Sequence, residues 1–170
     1  DYIGEKGIAT SIGHAPVSGL ISAKKGSNTA IAEALTNIVF APLEKGLESV
    51  SLSANWMWPC NNPGEDARLY EAVQECSDFA ISLGINIPTG KDSLSMKQKY
   101  SDGEVLAPGT VIISAAGQCK DISNVISPVA TVDGGEIYYI DFAQDNFYLG
   151  GSSFAQSQNC IGNETPSVQD

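Results

Sequence analysis

Two short groups of residues have the composition of a ligand site. In Ile87-Pro88-Thr89-Gly90-Lys91-Asp92-Ser93-Leu94-Ser95-Met96, a glycine, a cation, a carboxylate and two hydroxyls fall within a few positions. Gly90 lets a backbone come close to a ligand, and Lys91 supplies a positive charge for phosphate. Asp92 can hold Mg²⁺ or orient a hydroxyl, and Ser93 and Ser95 can donate to phosphate oxygens. The pattern predicts a strand that ends at Pro88 and runs into a short turn. It is not a Walker A loop, because Ile85 stands where the first glycine of that motif is required. An ordinary turn with solvated charges fits the spacing equally well.

Glu33 and Asn37 form the second group. They lie four residues apart on a predicted helix, so they project side by side. Two oxygen-bearing side chains on adjacent turns suit a hard cation such as Mg²⁺ shared with nucleotide phosphates. The same spacing is also common on a plain exposed helix face. His14, the one histidine, follows Gly13 and reads as a loop residue rather than a base. Asn55-Trp56-Met57-Trp58 before Pro59 reads as an aromatic loop entry, either a purine platform or a core anchor. Gly134-Gly135 reads as a hairpin turn. Gly150-Gly151-Ser152-Ser153 reads as a turn or as an anion site at a helix start.

The elements that must hold these groups follow from periodicity. One helix is predicted from about Ser27 or Asn28 to Phe40, capped by Ser27 or Asn28, stopped by Pro42 and buried along Ile31, Leu35 and Ile38. A second runs from about Gly64 to Leu83, with Leu69, Val73, Cys76, Ala80 and Leu83 on its core face. Strands are expected at Ile8-Ala9, Val17–Ser22, Val50–Ser53 and Ile85–Pro88, and further on at Thr110–Ala116 and Glu136–Asp141. The order is α/β or α+β, with helices packed on a sheet. The turn-rich stretch from Tyr100 to Gly109 is the best candidate boundary between two units.

Composition narrows the function classes. Nine Lys and Arg stand against 20 Asp and Glu, a net charge of −11, which argues against a non-specific grip on nucleic acid or anionic membranes. Hydrophobic residues make up 42% of the chain, enough for a real core, and no run is long enough to span a bilayer. The opening residues lack a signal-peptide pattern, so a soluble cytoplasmic protein is expected. Four cysteines at 60, 76, 119 and 160 are too far apart for a zinc knuckle and are expected as free, mostly buried thiols.

Glu33-Ala34-Leu35-Thr36-Asn37, Ser51-Leu52-Ser53-Ala54-Asn55-Trp56-Met57, Pro63-Gly64-Glu65-Asp66-Ala67-Arg68-Leu69-Tyr70 and Pro88-Thr89-Gly90-Lys91-Asp92-Ser93-Leu94-Ser95-Met96-Lys97 resemble, in order and spacing, the phosphoribosylformylglycinamidine synthase family. The likeness is to its large single-chain form, the FGAM synthetase of purine biosynthesis. It implies an aminoimidazole ribonucleotide synthetase-like fold, an α/β domain with a mixed sheet that pairs with a second sheet. Residues 1–105 resemble the N-terminal domain of the second synthetase half, and residues 106–170 an incomplete start of its C-terminal domain. The first half and the glutaminase domain, which serves as the glutamine amidotransferase, are then expected outside this chain.

The resemblance also implies an ATP-dependent C–N ligase that converts formylglycinamide ribonucleotide to its amidine with glutamine-derived ammonia. It gives Glu33 and Asn37 a role in Mg²⁺ and nucleotide-phosphate binding, at an auxiliary ATP/ADP site. Gly90 and Ser93 inherit positions near the catalytic ATP and the substrate phosphate, and Lys91 and Asp92 stand with them. His14 inherits no role. Three rivals follow: another synthetase of the same superfamily, a non-catalytic pairing module that homodimerises through an uncovered sheet face, and a secreted acidic module with two disulfides. Titration of the denatured protein with a thiol reagent under non-reducing conditions separates the last: four reactive thiols are expected, and none would establish two disulfides.

Overall fold

The computed structural model describes residues 3–143 and 147–168. Its centre is a four-stranded sheet in the order β1 (Gly7–His14), β7 (Thr110–Cys119), β3 (Val50–Met57), β4 (Asn86–Ser93). β7 runs antiparallel to both β1 and β3, whereas β3 and β4 are parallel, so the sheet is mixed. The parallel pair is joined by α3 (Glu65–Ser82), because parallel neighbours need a long crossover. α1 (Pro16–Ile21) and α2 (Ala23–Ile38) follow β1, and β2 (Glu44–Leu47) precedes β3.

Alternation along the strands decides which face is covered. Val50, Leu52 and Ala54 of β3 and Val111, Ile113 and Ala115 of β7 point to one side and are buried. There they meet Ala30, Ile31, Ala34 and Ile38 of α2 and Cys76, Phe79 and Ala80 of α3. The other face carries Ile8 and Ile12, which are 73% and 57% exposed. Helices therefore cover one side of the sheet, and the second side is open. Trp58, just past β3, is buried in a smaller cluster with Ala23 and Ala72, its ring 6.4 Å from that of Trp56.

Several expectations change. Val17–Ser22 is no strand: Pro16 opens helix α1, where its fixed φ and missing N–H cost nothing. α2 begins four to five residues earlier than expected, with Ser22 as its cap, its Oγ accepting from the Lys25 N–H at 3.3 Å. Ser27, expected as a cap, lies inside the helix, and its hydroxyl donates to the Ala23 carbonyl at 2.9 Å. Gly26 is tolerated mid-helix because a Cβ there would sit 2.7 Å from the Gly19 Cα of α1. α3 matches its expected span, but Val73 faces out at 42% exposure while Ala72 and Phe79 take the core positions.

The stretch from Tyr100 to Gly109 opens as the turn of a hairpin, β5 (Lys97–Tyr100) and β6 (Gly103–Leu106). The following strand, β7, returns to the centre of the first sheet, so that sheet extends past residue 105 to Cys119. Glu136–Asp141 forms no strand: Ile137 is 99% exposed, and no strand among the described residues offers it a ladder. Gly134 closes a turn onto the Thr131 carbonyl, without flanking strands to make it a hairpin. Ser152 caps the five-residue α4 (Ser153–Ser157), its Oγ accepting from the Ala155 N–H at 3.2 Å. Residues 147–168 fold back on α1 and α2, where Lys25 Nζ donates to the Thr165 carbonyl at 2.9 Å. All four cysteines are free; Cys76 and Cys119 are buried, Cys60 is half-buried and Cys160 exposed. No helix among the described residues is long and apolar enough to cross a membrane.

α2 crosses β1 at Gly13, where a Cβ would lie 2.1 Å from the Ala30 carbonyl oxygen and 2.3 Å from the Ala34 nitrogen. Both are helix backbone atoms and cannot swing aside. Gly13→Ala is expected to lower the unfolding free energy by about 1–3 kcal/mol, read from the urea midpoint.

Candidate functional site

Glu33 and Asn37 stand on the strip of α2 that overhangs the free edge of β1. An edge strand presents unpaired N–H and C=O groups, and these two side chains take two of them. The His14 N–H donates to Glu33 Oε2 at 2.6 Å, and Asn37 Nδ2 donates to the Ile12 carbonyl at 3.1 Å. Ser11 Oγ adds a bond to the Ala34 carbonyl at 2.6 Å, which pins the same turn of the helix to the strand. Both Glu33 and Asn37 remain exposed to solvent. His14 is the last residue of β1 rather than a loop residue, and it contributes its backbone to the arrangement.

The second group lies at the opposite edge of the sheet. Gly90-Lys91-Asp92-Ser93 is not a turn: it is the second half of β4, in parallel register with Ala54, Asn55, Trp56 and Met57. The polar run reads as a turn in sequence, yet an edge strand with solvent beside it accepts such residues readily. A register shift between Ser51 and Ser53 puts β4 one residue out of step with β3. Alternation then sends Gly90 and Asp92 to the helix side, and Lys91 and Ser93 to the open face with Asn55 and Met57. On the helix side a groove of about 540 Å³ runs between β4 and α3, lined by Trp56, Leu69, Val73, Gly90, Asp92 and Leu94.

Gly90 has a structural reason of its own. A Cβ there would meet the Ala54 carbonyl oxygen at 2.4 Å, so the close approach it permits is to β3. Asn55, read in the sequence as part of the aromatic loop entry, lies within β3 as the register partner of Lys91 and holds a buried Oδ1 without a hydrogen-bond partner. Burial pushes the Cys60 thiol above its ordinary value, and the carboxylates of Asp66, Glu65 and Asp92 push it further, which disfavours the thiolate.

The structure does not bring the two groups together. β1 and β4 are the outer strands, three inter-strand spacings apart, which is about 14 Å. No three His, Cys, Asp or Glu side chains gather as a metal-binding cluster among the described residues. Glu33 and Asn37 offer one carboxylate and one amide, both oxygen donors. That set fits Mg²⁺, which keeps several waters and takes its remaining ligands from phosphates.

Residues 1–118 match the family model described as the FGAR-AT PurM_N-like domain. The chain belongs to this family. It is 41% identical over 173 residues to a phosphoribosylformylglycinamidine synthase of Dictyostelium discoideum, an alignment with 97% of this chain and 13% of that protein. The human phosphoribosylformylglycinamidine synthase is 38% identical over 164 residues, 95% of this chain and 12% of that protein. The chain thus spans about an eighth of the length of the curated relatives it matches. Among solved structures, a PurLQS from Thermotoga maritima superposes with a TM-score of 0.57 at 14% identity, covering 74% of this chain and 20% of that one. A T. maritima PurL complexed with ATP gives 0.54 at 16%, over 74% and 20%. These likenesses establish the fold: a mixed α/β domain with a mixed sheet, of the aminoimidazole ribonucleotide synthetase-like kind.

If Gly90 serves the sheet, its substitution is felt without any ligand. Gly90→Ala is expected to cost about 1–3 kcal/mol of stability in nucleotide-free protein, whereas Ser93→Ala stays within about 0.5 kcal/mol, both by denaturant melts.

Proposed function

We propose that this chain is part of an FGAM synthetase, an ATP-dependent ligase that converts formylglycinamide ribonucleotide to formylglycinamidine ribonucleotide. The observation that carries the reading is the family match together with relatives of that name aligned along nearly the whole chain. The T. maritima PurL structures with FGAR and with ATP support the same ligand classes. Residues 1–119 form the N-terminal domain of one synthetase half, with the sheet carried to its end by β7, and residues 120–170 begin the next domain. The open face bearing Ile8 and Ile12 pairs with the sheet of the other half. The glutaminase that releases ammonia lies outside this chain, and the enzyme works in the cytoplasm.

Two groups at opposite edges of one sheet serve two sites. Glu33 and Asn37 hold Mg²⁺ and the phosphates of an auxiliary nucleotide. Mg²⁺ there neutralises phosphate charge that a chain of net charge −11 would otherwise repel. Gly90, Lys91, Asp92 and Ser93 border the catalytic ATP and the substrate phosphate. In the reaction the amide oxygen of the substrate attacks the γ-phosphorus and ADP leaves. The phosphorylated amide gives up its nitrogen-bound proton to solvent; ammonia then adds to the activated carbon and passes one proton to the departing phosphate, which leaves the amidine. Lys91 supplies a cation against the charge that develops on the transferred phosphoryl group, and the Ser93 hydroxyl donates a hydrogen bond to a phosphate oxygen.

In the full-length protein, Glu33→Ala is expected to remove one equivalent of tightly bound Mg-ADP, measured by nucleotide release after gel filtration. Lys91→Ala is expected to lower kcat about 100-fold with ammonia as nitrogen donor, which bypasses the glutaminase. Unchanged stoichiometry in the first, or unchanged kcat in the second, would overturn the corresponding assignment.

A further inference from the structure

We infer that the backbone of β1 is the positioning device of the Glu33–Asn37 pair: the His14 N–H and the Ile12 carbonyl fix which oxygen each side chain presents outward. This rests on the Mg²⁺-nucleotide reading of the same pair and goes beyond it.

The argument begins with what each backbone group can do. A carbonyl oxygen only accepts, so the Asn37 amide must turn its nitrogen to the Ile12 carbonyl, as it does at 3.1 Å. Its Oδ1 is thereby directed away from the strand. A backbone N–H only donates, so it selects an oxygen of Glu33, and the His14 N–H holds Oε2 at 2.6 Å. The second carboxylate oxygen, Oε1, is left to face outward. One donor and one acceptor, two residues apart on a single strand edge, thus turn two flexible side chains into a pair of outward oxygens. Gly13 lies between Ile12 and His14 and admits α2 to within reach of both.

A metal ligand held this way loses little rotamer freedom on binding, and outer partners of this kind typically govern metal affinity about 10–100-fold. The arrangement also explains an amide at position 37. An aspartate there would bring a second carboxylate oxygen to Mg²⁺, but it has no N–H to give Ile12 and is repelled by that carbonyl.

Asn37→Asp in the full-length protein therefore separates orientation from ligand chemistry. Calorimetric titration with Mg-ADP is expected to show at least about 10-fold weaker binding at the auxiliary site. Affinity equal to or tighter than the parent would overturn the inference, because a freely oriented carboxylate is a good Mg²⁺ ligand. Glu33→Ala tests the underlying site: if it leaves binding intact, the nucleotide reading itself fails. If it abolishes binding while Asn37→Asp does not weaken it, only the orienting role fails. Hydrogen exchange in the unmutated protein gives an answer even where Asn37→Asp does not fold. The β1 peptide containing the His14 amide should stay protected when Mg-ADP is added, since Oε2 keeps its donor. Loss of that protection on binding would overturn the inference.

Discussion

The close seat of α2 on β1 is the contact on which the rest of this structure depends. Helices normally keep about 10 Å from a sheet because side chains fill the gap. At Gly13 there is no side chain, and helix backbone atoms occupy the space a Cβ would need. The Ser11 hydroxyl reaches the Ala34 carbonyl across the same gap at 2.6 Å. This approach sets the height of α2 over the sheet edge, and hence whether residues one turn apart on the helix can touch the strand. With a larger residue at 13, Ile31 and Ala34 would lift from the core and Glu33 from the His14 amide together. Core packing and site geometry are therefore one constraint rather than two.

Topology supplies the second half of the arrangement. β7 comes from the far end of the sheet-forming chain and inserts between β1 and β3, so that residues more than 50 positions apart, such as Met57 and Thr110, become near neighbours. Because two strands separate β1 from β4, the acidic-amide pair and the Gly90–Ser93 run lie at a distance from one another. Each has open space on its outer side: the edge of β1 for one, the edge of β4 with its groove for the other. A domain of this shape leaves both outer strands of its sheet, and the side chains on them, open to solvent. The uncovered face carries Ile8 and Ile12 exposed on β1, among polar residues such as Thr10, Ser114 and Gln118.

Much of this was legible in the sequence, and what was not has physical causes. The runs Glu33–Asn37 and Gly90–Ser93 stood out because side-chain types are written in the sequence, and the structure puts them on α2 and β4 at opposite edges of one sheet. Their partners did not, because the His14 N–H and the Ile12 carbonyl belong to the backbone and carry no residue code. α3 was readable from its apolar spacing and its flanking Pro63 and Gly84. Helix α1 was not, since Val17, Leu20 and Ile21 suit a strand as well as one and a half helical turns. β4 outran its expectation because edge position, a tertiary property, lets a polar run join a ladder. Trp58 as a core anchor was one of the two open readings for the aromatic cluster, and burial decided it.

The segment Ile137-Tyr138-Tyr139-Ile140 has a bearing on how this chain behaves in bulk. Four β-favouring residues in sequence stand exposed without a ladder to join, which is the composition of a self-assembling stretch. Glu136 and Asp141 bracket it, one carboxylate at each end. They act as gatekeepers: stacked copies of the stretch would align like charges at both ends of every layer. The brake is electrostatic, so added salt screens it. The guard of this stretch against self-assembly thus lies in its two flanking carboxylates rather than in burial or strand pairing.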